Sequence, residues 1–269
     1  MWKHACDNTD AILTARAHVE SAHAREKGIL LPGRAVVFCM GSAMGWLKKW
    51  YPTEIIFHDM PKFIGGGECL RIVDVPELCF AHGGYGSPAV ADTVETLVAL
   101  GVRDILLIGM CGGFSEKLSV GDVIIPQRIC SEEGTSLHYY QSLGFVEQEA
   151  DKVTTATRFY ESSFRVHNDA TVTTDAVYRQ TYHKENHWRS LGCSGVDMEA
   201  SALLSVSRYL GVGAGVVLLV SDIHPLREHA EKWEWGNASF TANKENFIRH
   251  SIRFAIEQAG FPADAADPG

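Results

Sequence analysis

GVDMEASALL at residues 195–204 and VVLLVSD at residues 216–222 are the two stretches that decide the fold. Each is an apolar, strand-like run that ends in acidic residues. The first reaches Asp197 and Glu199 and continues into an alanine-rich helix, and the second ends at Asp222. In an open α/β sheet, ligands bind outside the carboxyl ends of the strands. The sequence therefore predicts that these carboxylates meet at a ligand-binding edge of a sheet.

Strand and helix patterns alternate along the rest of the chain. Apolar runs of strand length occur at 35–39, 54–57, 71–75, 78–81, 104–109, 123–126 and 170–174. Amphipathic stretches separate them, and Ser87-Pro88 predicts a helix start with an N-cap hydroxyl and a proline in the first turn. This alternation predicts an α/β fold, a single domain of three layers with a central, mostly parallel mixed sheet flanked by helices.

The pattern divides the chain into three predicted parts. Residues 1–33 form an N-terminal helical extension, with an amphipathic helix at 9–27. Residues 34–260 form the α/β domain, and residues 261–269 form a flexible tail.

Composition and charge exclude several classes of protein. The net charge of −9 and the lack of a long basic run argue against nucleic-acid binding. The apolar run at 212–220 is too short to span a membrane, and no secretory signal pattern is visible. Seven scattered cysteines and twelve histidines show no disulfide framework or metal-site spacing. We therefore expect a cytoplasmic protein without a metal and without membrane contacts.

Glycine-bearing loops follow several of the predicted strands, at Gly41–Gly45, Gly83–Gly86 and Gly109–Gly113. Glycines at strand ends leave backbone N–H groups free to bind an anion or a sugar. None of the loops has dinucleotide or P-loop spacing. One such loop would indicate an ordinary turn, but several beside two acidic strand ends favour a binding site.

In this order and spacing, the motifs resemble those of the nucleoside phosphorylase superfamily. The branch of the superfamily that they resemble contains bacterial-type purine nucleoside phosphorylases, uridine phosphorylases and methylthioadenosine nucleosidases. The resemblance covers residues 34–225 and is carried by the loop at Gly41, GGYGSP at 83–88, GVRDILLIGMCGGFSEKLSVGDVIIP at 101–126, TTDAVY at 173–178, VDMEASAL at 196–203 and VSD at 220–222. It implies a divergent nucleoside phosphorylase or nucleosidase that cleaves an N-glycosidic bond, with a purine-like base favoured.

The resemblance implies roles for Glu199, Met198 and Asp222. Glu199 would accept hydrogen bonds from the ribose hydroxyls, Met198 would pack under the sugar, and Asp222 would protonate the leaving base. A general acid of this kind has to be protonated near neutral pH, which implies a desolvated Asp222. The residues alone also allow Asp222 to cap the segment after its strand and Glu199 to be a first-turn acid.

The resemblance places the base and the acceptor in other segments. Val177, Tyr178, Asp197 and Ser221 would contact the base, with Val177 replacing an aromatic ring, and His138 is a further candidate contact. The loops for an anion or other acceptor comprise Gly41, Ser42, Tyr85, Gly86, Met110, Cys111 and Gly112.

Phosphorolytic members of this superfamily hold phosphate with arginines that this chain lacks. Leu107 stands at one of those positions, and the first loop has no cation before Lys48. Backbone N–H groups, or Lys48 and Arg71 from another segment or subunit, could still bind inorganic phosphate as a co-substrate. We expect no other cofactor, and the missing arginines favour water slightly as the acceptor.

Two alternative functions remain open at this point. EEGTSLHYY at 132–140 favours a uridine-type pyrimidine nucleoside phosphorylase. The missing arginines and Val177 favour a non-catalytic nucleoside-binding or storage protein on the same fold. The resemblance also implies a homo-oligomer, as a dimer, trimer or hexamer.

Overall fold

The computed structural model describes residues 9–140, 144–228, 232–235 and 238–262, and within them helices and strands alternate. The helices are α1 (Ala15–Glu20), α2 (Ala43–Trp50), α3 (Ser87–Ala99), α4 (Ala150–Tyr160), α5 (Tyr182–Ser190), α6 (Ala200–Tyr209) and α7 (Ala238–Gln258). The strands are β1 (Arg34–Phe38), β2 (Thr53–Phe57), β3 (Cys69–Ile72), β4 (Val75–His82), β5 (Asp104–Gly113), β6 (Val123–Ile124), β7 (Arg128–Glu132), β8 (Phe145–Glu147), β9 (Val166–His167), β10 (Ala170–Thr174), β11 (Cys193–Asp197) and β12 (Gly213–Ile223).

The described strands form one 12-stranded mixed sheet. Nine of them follow the order β2-β3-β4-β1-β5-β11-β10-β7-β8, and β12 joins the sheet through β5 and β6. Strand β5 is parallel to β1 and β12 but antiparallel to β11. The predicted α/β fold with a mixed central sheet is confirmed.

Strand β1 shows how the sheet separates two hydrophobic cores. Val37 faces one core, where α3 and α6 pack, and Val36 and Phe38 face the other, where α2, α4 and α7 pack. All three side chains are fully buried, as expected for a strand with helices on both of its faces. The predicted three-layer arrangement is therefore present.

The N-terminal helix is shorter than the sequence predicts. α1 covers only Ala15–Glu20, begins where the Thr14 side chain accepts a hydrogen bond from the Ala17 N–H, and ends at an extended Ser21. Only His18 and Val19 of this helix are buried. Because a short helix depends on packing of an apolar face, two buried residues do not support the predicted length. Residues 1–8 and 263–269, at the ends of the predicted extension and tail, lie outside the described residues.

Two further observations concern the described part of the chain. None of its helices is both long and apolar enough to cross a membrane. It also contains no group of three or more His, Cys, Asp or Glu residues arranged to hold a metal ion.

Candidate active site

Strand β5 places the two acidic strand ends near each other. Val196 of β11 pairs with Gly112 from one side, and Asp222 of β12 pairs with Gly112 from the other. Adjacent strands lie about 4.8 Å apart, so the ends of β11 and β12 are roughly 10 Å apart at this level. Since β11 is antiparallel to β5, the two ends approach from opposite directions and do not share one edge of a parallel sheet.

Glu199 lies under the loop that precedes α3. It is 6% exposed, and its Oε1 accepts a hydrogen bond of 2.6 Å from the Gly86 N–H. Gly86 has a φ of 86°, and so it can turn its N–H toward this carboxyl group without the steric cost that a side chain would add. Burial, followed by the charge of Asp197, raises the pKa of Glu199 to about 8. The Glu199 carboxyl group is therefore largely protonated at neutral pH.

Ser87 and Met198 join the same loop to the start of α6. The Ser87 hydroxyl donates a hydrogen bond of 2.8 Å to the carbonyl oxygen of Met198. The residue at the N-cap of α3 is Gly86. The predicted capping role of the Ser87 hydroxyl is therefore wrong, and this hydroxyl instead fixes the backbone beside Glu199.

Asp197 holds the first turn of α6. Its Oδ2 accepts hydrogen bonds from the N–H groups of Glu199 (2.9 Å) and Ala200 (2.6 Å), and its Oδ1 accepts one of 2.7 Å from the Thr173 hydroxyl. Burial raises the pKa of Asp197 to about 6. This geometry corrects the sequence prediction for Asp197: both carboxylate oxygens bind the protein, and the residue positions Glu199 instead of contacting a base.

The first glycine loop also lies beside Glu199. Ser42 adopts a left-handed conformation with a φ of 73°, which is uncommon for a residue with a side chain. A Cβ atom on Gly41 would lie 3.3 Å from the Tyr85 hydroxyl, so the loop and Tyr85 are in close contact. Burial raises the pKa of Tyr85, and the negative charge of Glu199 contributes to the increase. Gly86 and Tyr85 thus lie beside the Glu199 carboxyl group, and Gly41 contacts Tyr85. The assignment of Gly41, Ser42, Tyr85 and Gly86 to a loop for the acceptor stays a prediction.

Met110, Cys111 and Gly112 have a different position from the predicted one. They lie within β5 and pair with β12, and Gly112 also pairs with β11. The run DILLIG therefore continues as a strand through the following glycines and does not open into a loop. This corrects the assignment of these three residues to an acceptor loop, because a paired strand leaves fewer N–H groups for an anion.

Asp222 is surrounded by donors. It is 3% exposed. Its Oδ2 accepts a hydrogen bond of 2.6 Å from Trp233 Nε1 and lies 3.2 Å from His224 Nε2. The Ser221 hydroxyl is 2.5 Å from its Oδ1 and 3.1 Å from the carbonyl oxygen of Cys111. Burial raises the pKa of Asp222, but the hydrogen bonds from His224, Ser221 and Trp233 outweigh it, and the net pKa is lowered. The expectation that this structure holds Asp222 protonated is wrong, and the Ser221 hydroxyl lies against the Asp222 carboxylate.

His224 and Glu185 are site residues that the sequence analysis missed. His224 Nδ1 lies 2.6 Å from Glu185 Oε1, and Glu185 is a buried residue of the polar helix α5. His224 lies two residues after Asp222 and one residue past the end of β12, and this closeness in the chain was a usable signal. No sequence pattern links Glu185 to a position 39 residues later.

The remaining predicted contacts are exposed. Val177 and Tyr178 lie in a 3-10 turn at Val177–Arg179, with 45% and 96% of their surfaces exposed. His138 is exposed in a second 3-10 turn and lines a cavity of about 930 Å³ together with Tyr139. Within this chain, the structure does not bring Tyr178 into a closed pocket.

The cations considered for an anion site are bound to acidic or polar groups. Lys48 forms an ion pair with Glu68, and Arg71 forms one of 2.7 Å with Glu54. Lys62, which the sequence analysis did not consider, is largely buried and donates to the His82 carbonyl oxygen and to the Thr93 hydroxyl. Burial lowers the pKa of Lys62. Each of these three groups would have to leave an existing partner to bind phosphate fully.

Comparison with known proteins adds evidence from sequence. A family model described as the phosphorylase superfamily matches residues 35–255. The DeoD-type purine nucleoside phosphorylase of Clostridium beijerinckii is 29% identical over 142 residues, which are 52% of this chain and 60% of that protein. The guanosine phosphorylase of Halorubrum lacusprofundi is 28% identical over 148 residues, which are 55% of this chain and 61% of that protein. The chain thus spans about 60% of the length of these relatives.

A solved structure supports the fold. The purine nucleoside phosphorylase of Toxoplasma gondii, in complex with immucillin-H, matches with a TM-score of 0.74 at 18% sequence identity. The match covers 90% of this chain and 97% of that one. At this identity, the likeness establishes the architecture alone.

Proposed function

Because this chain belongs to the phosphorylase superfamily, we propose that it cleaves the N-glycosidic bond of a purine nucleoside. The observation that carries the proposal is that β11, which leads to the buried Glu199, and β12, which carries the buried Asp222, pair with opposite sides of β5 at Gly112. The names of the bacterial and archaeal relatives support a purine as the base.

Glu199 binds the ribose in this proposal. Its Oε1 accepts a hydrogen bond from the Gly86 N–H, and Tyr85 lies close enough for the charge of Glu199 to raise its pKa. A carboxylate has several acceptor positions, which suits the two neighbouring hydroxyl donors of a ribose diol. Binding of the diol stabilises the ionised form, so Glu199 loses its proton when the nucleoside enters. Met198, adjacent on the chain, packs against the sugar.

Asp222 acts at the base. As the C1′–N bond breaks, its electron pair goes to the heterocycle, which becomes a better leaving group when a nitrogen is protonated. A well-placed acid contributes roughly 10²–10⁴-fold to such a step. Asp222 is already surrounded by N–H and O–H donors, and so it can pass a proton only if one of them supplies it.

We favour water as the acceptor. Phosphate is a dianion whose tight binding depends on charge-assisted hydrogen bonds, and the cations Lys48 and Arg71 are paired with carboxylates. In the first loop, the Gly41 N–H is hydrogen-bonded to the Tyr85 hydroxyl. Phosphorolysis is the alternative that the experiment has to test.

The test is incubation of the purified protein with inosine, guanosine, adenosine or uridine, each with and without inorganic phosphate. We expect free purine base in both conditions and ribose as the sugar product. Formation of ribose 1-phosphate only when phosphate is present would show phosphorolysis. Preferential release of uracil would favour a pyrimidine enzyme, and tight binding with no base released would indicate a binding protein.

Two variants test the proposed roles. Glu199→Gln should lower kcat/KM by about 10–100-fold, because a charge-assisted hydrogen bond is worth about 1.5–3 kcal/mol. Asp222→Asn should lower kcat more than it changes KM, since it acts on the bond-breaking step. Glu54→Gln, an exposed carboxylate paired with Arg71, is the matched control and should leave turnover unchanged. Unchanged turnover in Asp222→Asn would disprove its role.

A further inference from the structure

His224 lies between two carboxylates from different elements. Its Nε2 is 3.2 Å from Asp222 Oδ2, and its Nδ1 is 2.6 Å from Glu185 Oε1. Asp222 belongs to β12 and Glu185 to α5, so the imidazole bridges a strand end and a helix. Both carboxylates are buried, at 3% and 5% exposure. An imidazole with a carboxylate at each nitrogen donates from both, which requires the charged form.

The backbone is shaped to admit this ring. A Cβ atom on Gly112 would lie 2.4 Å from His224 Nε2 and 3.0 Å from its Cε1, so only glycine leaves room for the imidazole. The His224 N–H also donates to the Gly113 carbonyl oxygen at 2.7 Å. The ring is therefore held against β5 at the level where the two acidic strand ends meet.

The charges around the ring are arranged to keep it protonated. Burial lowers the pKa of His224, but its hydrogen bonds to Asp222 and Glu185 outweigh burial and raise the pKa to about 9. The other polar groups in contact are Trp233, which donates to Asp222, and Arg189, whose Nη1 is 3.9 Å from Glu185 Oε2. Arg189 thus balances part of the Glu185 charge without contacting the imidazole nitrogens.

We propose that His224 supplies the proton that Asp222 passes to the leaving base, and that Glu185 holds the imidazolium in place between turnovers. This inference rests on the proposed function. His224 is a positioning residue, because it acts through Asp222 and does not contact the substrate. The proposal explains how Asp222 can act as the acid although this structure holds it as a carboxylate.

The proton and electron changes balance within this arrangement. The proton on His224 Nε2 first moves to the Asp222 carboxylate, which leaves a neutral imidazole hydrogen-bonded to Glu185. The C1′–N bond then breaks with its electron pair on the base, and Asp222 donates that proton to a nitrogen of the base and becomes a carboxylate again. Water attacks C1′ and releases a proton to solvent, and His224 takes a proton from solvent before the next turnover.

A matched pair of substrates separates proton delivery from all other roles. Inosine needs a proton on its base as it leaves, whereas 7-methylinosine already carries a positive charge on the imidazole ring and leaves as a neutral base. We expect His224→Gln, whose amide can still donate to Asp222 but has no proton to give up, to lower kcat on inosine by roughly 10²–10⁴-fold. The same variant should cleave 7-methylinosine at nearly the wild-type rate.

The chain contains a suitable control in a second buried His–Asp pair. His167 Nε2 lies 2.9 Å from Asp122 Oδ2, in β9, away from the site. His167→Gln should leave both substrates unaffected. Equal loss of both substrates in His224→Gln would show a merely structural role, and no loss of either would show no role; both results overturn the inference. If the wild-type protein cleaves neither nucleoside, the proposed function itself fails.

Glu185→Gln gives a second readout that a structural role would not produce. Removing this charge should lower the pKa of His224, measured by NMR titration of its imidazole with His224→Gln used for assignment. The alkaline limb of the kcat–pH profile on inosine, near pH 9 in the wild-type protein, should move to lower pH by the same amount. An NMR shift without a shift of the alkaline limb would contradict the proton transfer.

Discussion

Burial decides the charge of Glu199 at neutral pH. The carboxyl group is 6% exposed and its pKa is raised from 4.5 to about 8. The ribose diol offers hydrogen-bond donors to the ionised form, so nucleoside binding and proton release are linked at this residue. The sequence could identify Glu199 as a ligand residue, but its protonation state depends on Gly86 and Asp197, which approach only in the folded chain.

The first prediction concerns the pH dependence of stability. Between pH 4.5 and pH 8, the folded protein keeps a proton on Glu199 that the unfolded chain has lost, so the free energy of unfolding falls as the pH rises. Glu199→Gln removes this term while keeping an acceptor for the Gly86 N–H. We expect urea unfolding to show a gain of about 1–3 kcal/mol for Glu199→Gln over wild type at pH 8, and no gain at pH 4.5. If the free energies of unfolding of the two proteins change with pH in parallel, the raised pKa of Glu199 is contradicted. Glu54→Gln is the exposed control.

The second prediction concerns the space at Gly112. Gly112→Ala forces the new Cβ into the His224 ring, and the imidazole must leave Asp222 and Glu185. We expect a loss of about 1–3 kcal/mol in the free energy of unfolding and a pKa of His224 below its wild-type value. Gly45→Ala is the matched control, since Gly45 lies in α2 with open space around its Cβ position. It should be more stable than wild type by roughly 0.5–1 kcal/mol.

Helix α6 depends on a capping residue, Asp197, that lies three residues before its first residue, Ala200. Asp197 accepts the N–H groups of Glu199 and Ala200 and thereby satisfies donors that have no partner within the helix. The same contacts fix the backbone of Glu199. Capping and ligand placement are therefore one function of this element.

The third prediction follows from this cap. Asp197→Ala leaves two N–H groups and the Thr173 hydroxyl without their acceptor, and we expect a loss of about 1–3 kcal/mol of stability. Asp197→Asn should lose less, because its amide oxygen can still accept the two N–H groups. Asp175→Ala, which removes an exposed acceptor of the Gly134 N–H, is the control. The prediction is wrong if thermal unfolding shows the same loss for Asp197→Ala and Asp175→Ala.

At the scale of elements, strands were easier to predict than their ends. The apolar run at 104–109 predicts the first part of β5, but the strand continues to Gly113. The glycines that indicated a loop instead make room for neighbours: a Cβ on Gly112 would meet His224, and one on Gly113 would meet Ile223. Such close approaches come from other segments, and so no pattern local to residues 109–113 can distinguish them from a turn.

At the scale of the whole molecule, the order of strands and helices was enough to predict the α/β class and its three layers. Strand β1 explains why, because its successive side chains point alternately into the two cores on opposite faces of the sheet. The antiparallel pairing of β11 with β5 was not predictable, because β11 is linked in the chain to α5 and α6 and carries no signal for its direction. Composition and periodicity also do not predict which outer surface of the molecule is left uncovered.

The last prediction concerns such a surface. Leu13, Phe63, Ile64 and Tyr209 line the cavity of about 930 Å³, and each has 45–61% of its surface exposed. Exposed apolar groups around a large concave surface are typical of an interface, and we expect a second copy of this chain to cover them.

Sedimentation equilibrium should therefore give a mass of at least twice 29.6 kDa for the wild-type chain. The double variant Leu13→Glu, Ile64→Glu should sediment as a monomer with an unchanged fold by circular dichroism, because buried charges without partners oppose association. Ile55→Glu with Val73→Glu places the same charges on exposed apolar residues outside the cavity and should keep the wild-type mass. A monomeric wild-type protein would contradict the predicted homo-oligomer, and an oligomeric double variant would place its interface on another surface.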